Sequence, residues 1–232
     1  MTDSPDQLII TIDGPAGSGK STLARQLAAR LGLDFLDTGA MYRGIAAKAI
    51  ERGIDIVDEP YYVVELARNC PLHFDWDNDP PRLYVRESDL TDRLRDADVT
   101  AAVSDVAKLG GVRQVLVENQ RRIGQEHPRL VTEGRDQGSI VFPMAKVKFY
   151  LDASPQVRAH RRAAQLRDMG KPANLEEIRL NIIDRDRKDS TRDDGPLICP
   201  EDALRINTSA MTLDQVLELL EQNVRVRVGE RV

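Results

Sequence analysis

The run Gly14-Pro15-Ala16-Gly17-Ser18-Gly19-Lys20-Ser21 holds the residues whose types and spacing could do the most specific chemistry in this chain. It satisfies GxxxxGK[ST], follows the apolar run Leu8–Ile12 and precedes a helical pattern that begins at Lys20. In that setting the glycines let backbone N–H groups turn inward around a polyphosphate, and the start of the helix adds partial positive charge. Lys20 would reach the β and γ phosphates, the Ser21 hydroxyl is placed for Mg²⁺, and Thr22 ends the segment expected to hold a nucleoside triphosphate. The dinucleotide fingerprint matches less well, because Gly19 is followed by Lys20, Ser21 and Thr22 with no third glycine. No asparagine precedes a lysine and no aspartate stands three residues before a glycine, so the guanine-reading and switch motifs of regulatory GTPases are missing. Small-molecule phosphoryl transfer is then the leading class.

A phosphoryl acceptor that is itself a phosphate needs cationic forks besides Lys20, because two polyanions must be brought into line. From Arg158 to Arg192 the chain carries 8 Arg and 2 Lys against 6 Asp and Glu, a local charge of +4 within a net charge of −5. Arg158, Arg161 and Arg162 share a helix face at spacings of 3 and 4, either as an anion clamp or as a solvated surface. Further on, Ile178, Ile182, Arg185, Asp189 and Arg192 follow one stripe, so an apolar face runs into Arg-Asp-Arg. Asp189 is expected to pair with Arg185 and Arg192, leaving excess positive charge for an anionic ligand. Gly170-Lys171-Pro172 predicts a helix–turn–helix flap that excludes water. Two clusters fall after candidate strands: Asp37-Thr38-Gly39-Ala40-Met41-Tyr42-Arg43, and Glu133-Gly134-Arg135-Asp136. Arg43 and Arg135 can chelate an acceptor phosphate. Glu133 or Asp37 could hold water around the magnesium, and Asp37 could equally cap the helix that follows it.

The elements that must position these groups follow from periodicity. Short β-branched runs alternate with helical stretches, the pattern of a parallel α/β sheet. Strands are predicted at Leu8–Asp13, Asp34–Leu36, Leu130–Thr132, Val147–Leu151 and Leu204–Ile206. Helices are predicted at Lys20–Leu31, Ala40–Arg52, Val103–Ile123, Pro155–Arg167, Leu175–Lys188 and Leu213–Val226, with Ser154-Pro155, Asn174 and Thr212 as starts. Leu72, Phe74 and Trp76, then Leu83 and Val85, alternate with polar residues around Asn78-Asp79-Pro80-Pro81, which predicts two antiparallel strands in an insert from Tyr61 to Thr100. Net charge and composition argue against a general nucleic-acid or membrane binder. Cys70 and Cys199 have no CxxC spacing and His73, His127 and His160 are scattered, so neither a disulfide framework nor a metal knuckle is indicated. Met1–Asp6 lacks a basic leader, and a cytoplasmic monomer is expected.

Taken together, IDGPAGSGKST at Ile12–Thr22, LDTGAMYR at Leu36–Arg43, Val112-Arg113, EGRDQGSIVFP at Glu133–Pro143, RDRKDSTRDDGPL at Arg185–Leu197 and EDAL at Glu201–Leu204 resemble the bacterial cytidylate kinases. The resemblance implies an α/β P-loop kinase fold of three layers, with a parallel central sheet, an acceptor-binding lobe carrying a small antiparallel β insert, and a helical lid. It implies one domain over 1–232, with core at 1–39, 101–154 and 193–232, acceptor lobe at 40–100 and lid at 155–192. The implied reaction moves the γ-phosphate of ATP to CMP or dCMP with Mg²⁺. Gly14 through Thr22 would bind ATP, and Lys20, Arg161, Arg185 and Arg192 would be the catalytic cations. Thr38, Arg43, Ser104, Arg113, Arg135, Asp136, Arg185, Asp189 and Arg192 would bind CMP: Arg43 and Arg135 at the phosphate, Arg185 and Asp189 at the sugar, Ser104, Arg113, Asp136 and Arg192 around the base. Cytosine's exocyclic amine can donate to Asp136 and its N3 and O2 can accept from Arg113, whereas uracil would turn an oxygen toward that carboxylate. A kinase for UMP or another monophosphate, and a nucleotide-binding regulator without catalysis, are the alternatives. Gly110-Gly111, where relatives often have proline, and Asn207, where they usually have aspartate, depart from the family pattern.

Overall fold

The computed structural model describes Gln7 to Gly229, so the reading of Met1–Asp6 lies outside the described residues. In chain order the elements are β1 (Leu8–Asp13), α1 (Lys20–Leu31), β2 (Asp34–Asp37), α2 (Thr38–Glu51), α3 (Pro60–Asn69), β3 (Leu72–Asp75), β4 (Arg82–Val85) and β5 (Ser88–Asp89). They continue with α4 (Ala97–Val106), α5 (Gly110–Glu126), β6 (Arg129–Gly134), β7 (Val147–Asp152), α6 (Pro155–Asp168), α7 (Leu175–Thr191), β8 (Leu204–Asn207) and α8 (Leu213–Val228). A single π-helical turn occupies Gln137–Val141. The described residues form two compact units, one ending at Asp34 and resuming at Arg129, the other running from Phe35 to Pro128.

The central sheet has strand order β2-β6-β1-β7-β8, and the first unit holds its strands β1, β6, β7 and β8. β1 pairs in parallel with β6 from Leu8↔Arg129 to Asp13↔Gly134, and with β7 from Ile10↔Val147 to Asp13↔Tyr150; β7 pairs in parallel with β8. Every residue of β1 is buried, as expected of a parallel strand covered on both faces. Ile10, Ile12, Leu23, Leu27, Leu130 and Phe149 form its fully buried centre. This register brings the carboxyl ends of β1 and β6 side by side, so the loops after Asp13 and Gly134 leave the sheet together.

The second unit packs α2, α3, α4 and α5 with the antiparallel sheet β3-β4-β5, around Met41, Ile45, Val63, Leu66, Leu83, Val99 and Leu116. The expected pair of strands is present, with Leu72↔Val85 and Phe74↔Leu83 facing across it, and a third short strand extends it. Two expectations are corrected. The helix predicted at Val103–Ile123 is two helices, because Leu109 adopts an extended conformation (φ −74°, ψ 106°) directly before Gly110-Gly111, where helix propensity is lowest. The insert also holds α3, which the strand alternation around it hid: Val63, Leu66 and Ala67 bury one face at i, i+3 and i+4, behind Pro60 in the first turn. No helix among the described residues is long and apolar enough to cross a membrane.

Candidate active site

The loop Gly14–Ser21 leaves the end of β1 and closes at the start of α1. Gly14, Gly17 and Gly19 all take positive φ (147°, 78° and 94°), and a Cβ on Gly14 would collide with the Leu151 carbonyl oxygen. Gly19 caps α1 without a side-chain bond to its first amides, which leaves those N–H groups to a ligand or solvent. Lys20 is 5% exposed and its Nζ donates to the Pro15 carbonyl at 2.9 Å. Burial, then Arg135, push its pKa down to about 7, against the pull of Glu133 and Asp13. A polyphosphate beside an amine buried this way would favour its charged form.

Two arginines of α6 brace this loop from outside. Arg158, expected on the anion-clamp face, is 3% exposed with its guanidinium fully committed. Nε donates to Ala153 O at 2.8 Å, Nη1 to Ala16 O at 2.9 Å and Nη2 to Asp186 Oδ2 at 2.5 Å. The clamp reading is corrected for this residue: it is a strut. Arg161 donates to Ser18 O at 3.3 Å, Thr208 Oγ1 at 3.0 Å and Thr208 O at 2.7 Å. In a trans peptide the N–H points opposite to the C=O, so turning Ala16 O and Ser18 O toward α6 directs the amides of Gly17 and Gly19 the other way. Arg162 meets Gln165 on its own helix at 2.6 Å.

At the end of β6 the second cluster gathers beside the loop. Ser21 Oγ donates to Glu133 Oε1 at 2.6 Å, bringing the two expected magnesium-facing groups together. No set of three or more His, Cys, Asp or Glu able to hold a metal exists among the described residues. The two oxygens of Ser21 and Glu133 suit Mg²⁺, which is held by one or two protein oxygens and completed by phosphate and water. Arg135 donates to Asp189 Oδ2 at 2.8 Å and to Gly134 O at 3.1 Å. Arg192 stands 3.9 Å from Asp189 and donates to Gly195 O. Burial raises the Asp189 pKa, but Arg135, Arg185 and Arg192 together outweigh it and hold the carboxyl below its usual range. Asp189 pairs with Arg192 as expected and feels the charge of Arg185; it also accepts a hydrogen bond from Arg135, 54 residues away, because the β6 exit and the end of α7 come together in the fold. Asp136 is buried at the same exit.

Of the remaining expected residues, all but Asn207 lie in the second unit. Asp37 caps α2, accepting from Ala40 N at 3.0 Å, and Thr38 is buried at the first position of that helix. Arg43 folds back over Gly39, where a Cβ would come 2.7 Å from its Nη1. Ser104 is half-buried on α4. Arg113 is buried on α5; its Nη1 donates to the Tyr42 hydroxyl at 3.3 Å and its guanidinium lies 5.9 Å from that ring's centroid. Asn207 accepts from Ser209 N at 3.0 Å, a bond that an aspartate there could also accept.

The sequence reading missed Asp13. Its carboxylate, 1% exposed at the end of β1, accepts from Gln137 N at 2.9 Å and Gly138 N at 2.7 Å. Burial pushes its pKa up to about 7 although both amides pull it down. The only signal was an acidic residue directly before the first glycine of the phosphate loop, which is indistinguishable in a sequence from an ordinary strand-end aspartate.

Comparison with known proteins gives a consistent picture. The profile of the family described as Cytidylate kinase matches residues 10–226. The chain is similar to a protein named Cytidylate kinase from Clostridioides difficile, with 41% identity over 211 residues, 91% of this chain and 95% of that one. It is also similar to a protein named Bifunctional pantoate ligase/cytidylate kinase from Trichormus variabilis, with 41% identity over 228 residues. That match takes in 97% of this chain and 42% of the relative, so the chain spans less than half of that longer protein. Among solved structures, an uncharacterized protein from Eubacterium ventriosum shares the fold at TM-score 0.52 and 12% identity, over 96% of this chain and 100% of that one.

Proposed function

The chain belongs to the cytidylate kinase family, and we propose that it transfers the γ-phosphate of ATP to CMP or dCMP, giving ADP and CDP or dCDP. The observation that carries this reading is the family match over residues 10–226. The buried Lys20 in its positive-φ glycine loop, with Ser21 beside Glu133, supports the phosphoryl-transfer half of it.

On this reading Gly14–Thr22 bind the polyphosphate of ATP, and Lys20, Arg161, Arg185 and Arg192 neutralise charge on the transferring group. Mg²⁺, held through Ser21 and water on Glu133, would supply further neutralisation of the phosphate oxygens. Arg43 and Arg135 hold the acceptor phosphate, Arg185 and Asp189 the sugar, and Thr38, Ser104, Arg113, Asp136 and Arg192 the remainder of the nucleotide. Arg135 must then exchange or share its bond to Asp189 when the acceptor arrives, so acceptor phosphate and sugar recognition are linked through one ion pair. The attacking phosphate oxygen is already anionic at neutral pH, and no general base is assigned. Residues 155–192 act as lid and 40–100 as acceptor lobe. The protein works in the cytoplasm as a monomer, independent of nucleic acid and membrane.

Base selection is tested at Asp136. Asp136→Asn is expected to lower the preference for CMP over UMP by roughly 5- to 150-fold, the value of one mismatched buried pair. An unchanged preference, measured as a ratio of kcat/KM, would show that the base is read elsewhere.

A further inference from the structure

Asp136 sits on a turn whose backbone is fixed by a residue from a different strand. After β6 the chain passes Arg135 and Asp136 and enters the π turn, in which Val141 N bonds Asp136 O at 3.1 Å and Phe142 N bonds Gln137 O at 2.7 Å. The first amides of any helical turn have no partner inside it. Here two successive ones, Gln137 N and Gly138 N, are both taken by the carboxylate of Asp13, one oxygen each. The Gln137 side chain is fixed as well, accepting from Thr132 Oγ1 at 2.9 Å. Gly138 has no room for a side chain: a Cβ would come 2.9 Å from Thr11 Oγ1 and 3.2 Å from Lys148 Cδ. The turn is seated against β1 with both amides on one carboxylate, and the residue immediately before those amides is Asp136.

We infer that Asp13 is a positioning residue for acceptor-base selection: its carboxylate clamps the Gln137 and Gly138 amides and so aims Asp136. Asp13 is also the residue before Gly14, so a single side chain ties the entrance of the phosphate loop to the turn that carries the base-reading carboxylate. Donor and acceptor sides of the reaction are thereby held in one frame, without Asp13 touching either nucleotide. The carboxylate is suited to this where an amide is not. Two N–H donors facing one side chain need two acceptor oxygens, and asparagine offers one oxygen and turns an N–H₂ toward the other donor.

The inference rests on the reading of Asp136 as the base reader, and its test separates the two. Asp13→Asn is assayed for kcat/KM with CMP and with UMP. The ratio cancels any loss that falls equally on both acceptors, as damage to Lys20 or to overall stability would. The ratio is expected to fall by at least about fivefold, the worth of one misplaced buried hydrogen bond. An unchanged ratio with depressed rates for both would overturn the inference and leave Asp13 as a support of the phosphate loop alone. Should that variant fail to fold, Gly138→Ala displaces the same turn with Asp13 intact and is expected to lower the same ratio; an unaltered ratio overturns the inference. Amide exchange gives a readout independent of acceptor: Gly138 N–H is protected in the unmodified protein and loses protection in Asp13→Asn. Loss of protection with no change in base preference, in a protein where Asp136→Asn also changes nothing, would place the fault in the base-reading assignment and not in the clamp.

Discussion

Lys20 and Asp13 are two buried groups of opposite charge at the ends of one short loop, both brought by burial to about pKa 7. The groups that face Lys20 are Arg135 and Arg185, which favour its neutral form, and Glu133 and Asp13, which favour the charged one. At pH 8 Asp13 is mostly ionised and Lys20 mostly neutral. A polyphosphate seated on the loop adds negative charge next to the amine and raises its pKa, so binding is expected to take up protons and affinity to fall as pH rises above about 7. Calorimetry of ATP binding at pH 8 in buffers of different ionisation enthalpy is expected to report net proton uptake that falls in Lys20→Met by up to about one proton. Proton release, or uptake as large in Lys20→Met as in the unmodified protein, would contradict this account of the lysine. That Gly14–Gly19 forms a loop between a strand and a helix, with Lys20 and Ser21 at the helix start, was legible from spacing alone. Arg158 was not: the spacing that placed it on a face with Arg161 carries no information about which carbonyls it will meet, and only the fold shows it committed to Ala16, Ala153 and Asp186.

At the scale of elements, Gly111 shows two effects of opposite sign. It lies in the first turn of α5, where alanine would gain up to about 1 kcal/mol of helix propensity. A Cβ there would come 2.7 Å from Val64 Cγ1 and 3.0 Å from Cγ2 on α3, and a β-branched side chain in a helix has little freedom to turn away. Overpacking of this kind costs about 1–3 kcal/mol, so Gly111→Ala is expected to lose about 1 kcal/mol net in chemical denaturation. A gain in stability would show that α3 yields more easily than its packing implies. The same glycine explains where the reading of elements fell short. The parallel strands announced themselves as apolar runs, and β1 and α1 have the bounds that periodicity assigned. The break between α4 and α5 did not, because Val103, Val106, Val112 and Leu116 continue an apolar periodicity through Leu109. Gly111 at that break serves the approach of α3, an element that local pattern had not revealed. The π turn was equally hidden, since its amides are satisfied by Asp13, more than a hundred residues earlier.

Over the whole molecule, the net charge of −5 conceals an uneven distribution. The segment from Arg158 to Arg192 is basic, yet its arginines divide by function: Arg158 supports a backbone, while Arg185 and Arg192 surround Asp189 together with Arg135. The same compositional excess therefore serves architecture at Arg158 and, on the proposed function, ligand binding at Arg185 and Arg192, and only position separates the two. Family membership and the geometry of the phosphate loop converge on one reaction, and the measurement that bears on it most directly is acceptor-dependent ADP formation. With ATP and Mg²⁺ supplied, ADP is predicted to appear on addition of CMP or dCMP, with UMP a poorer acceptor by at least about fivefold in kcat/KM. Absence of CMP-dependent ADP formation by folded protein that still binds CMP, or turnover of UMP equal to that of CMP, would contradict it.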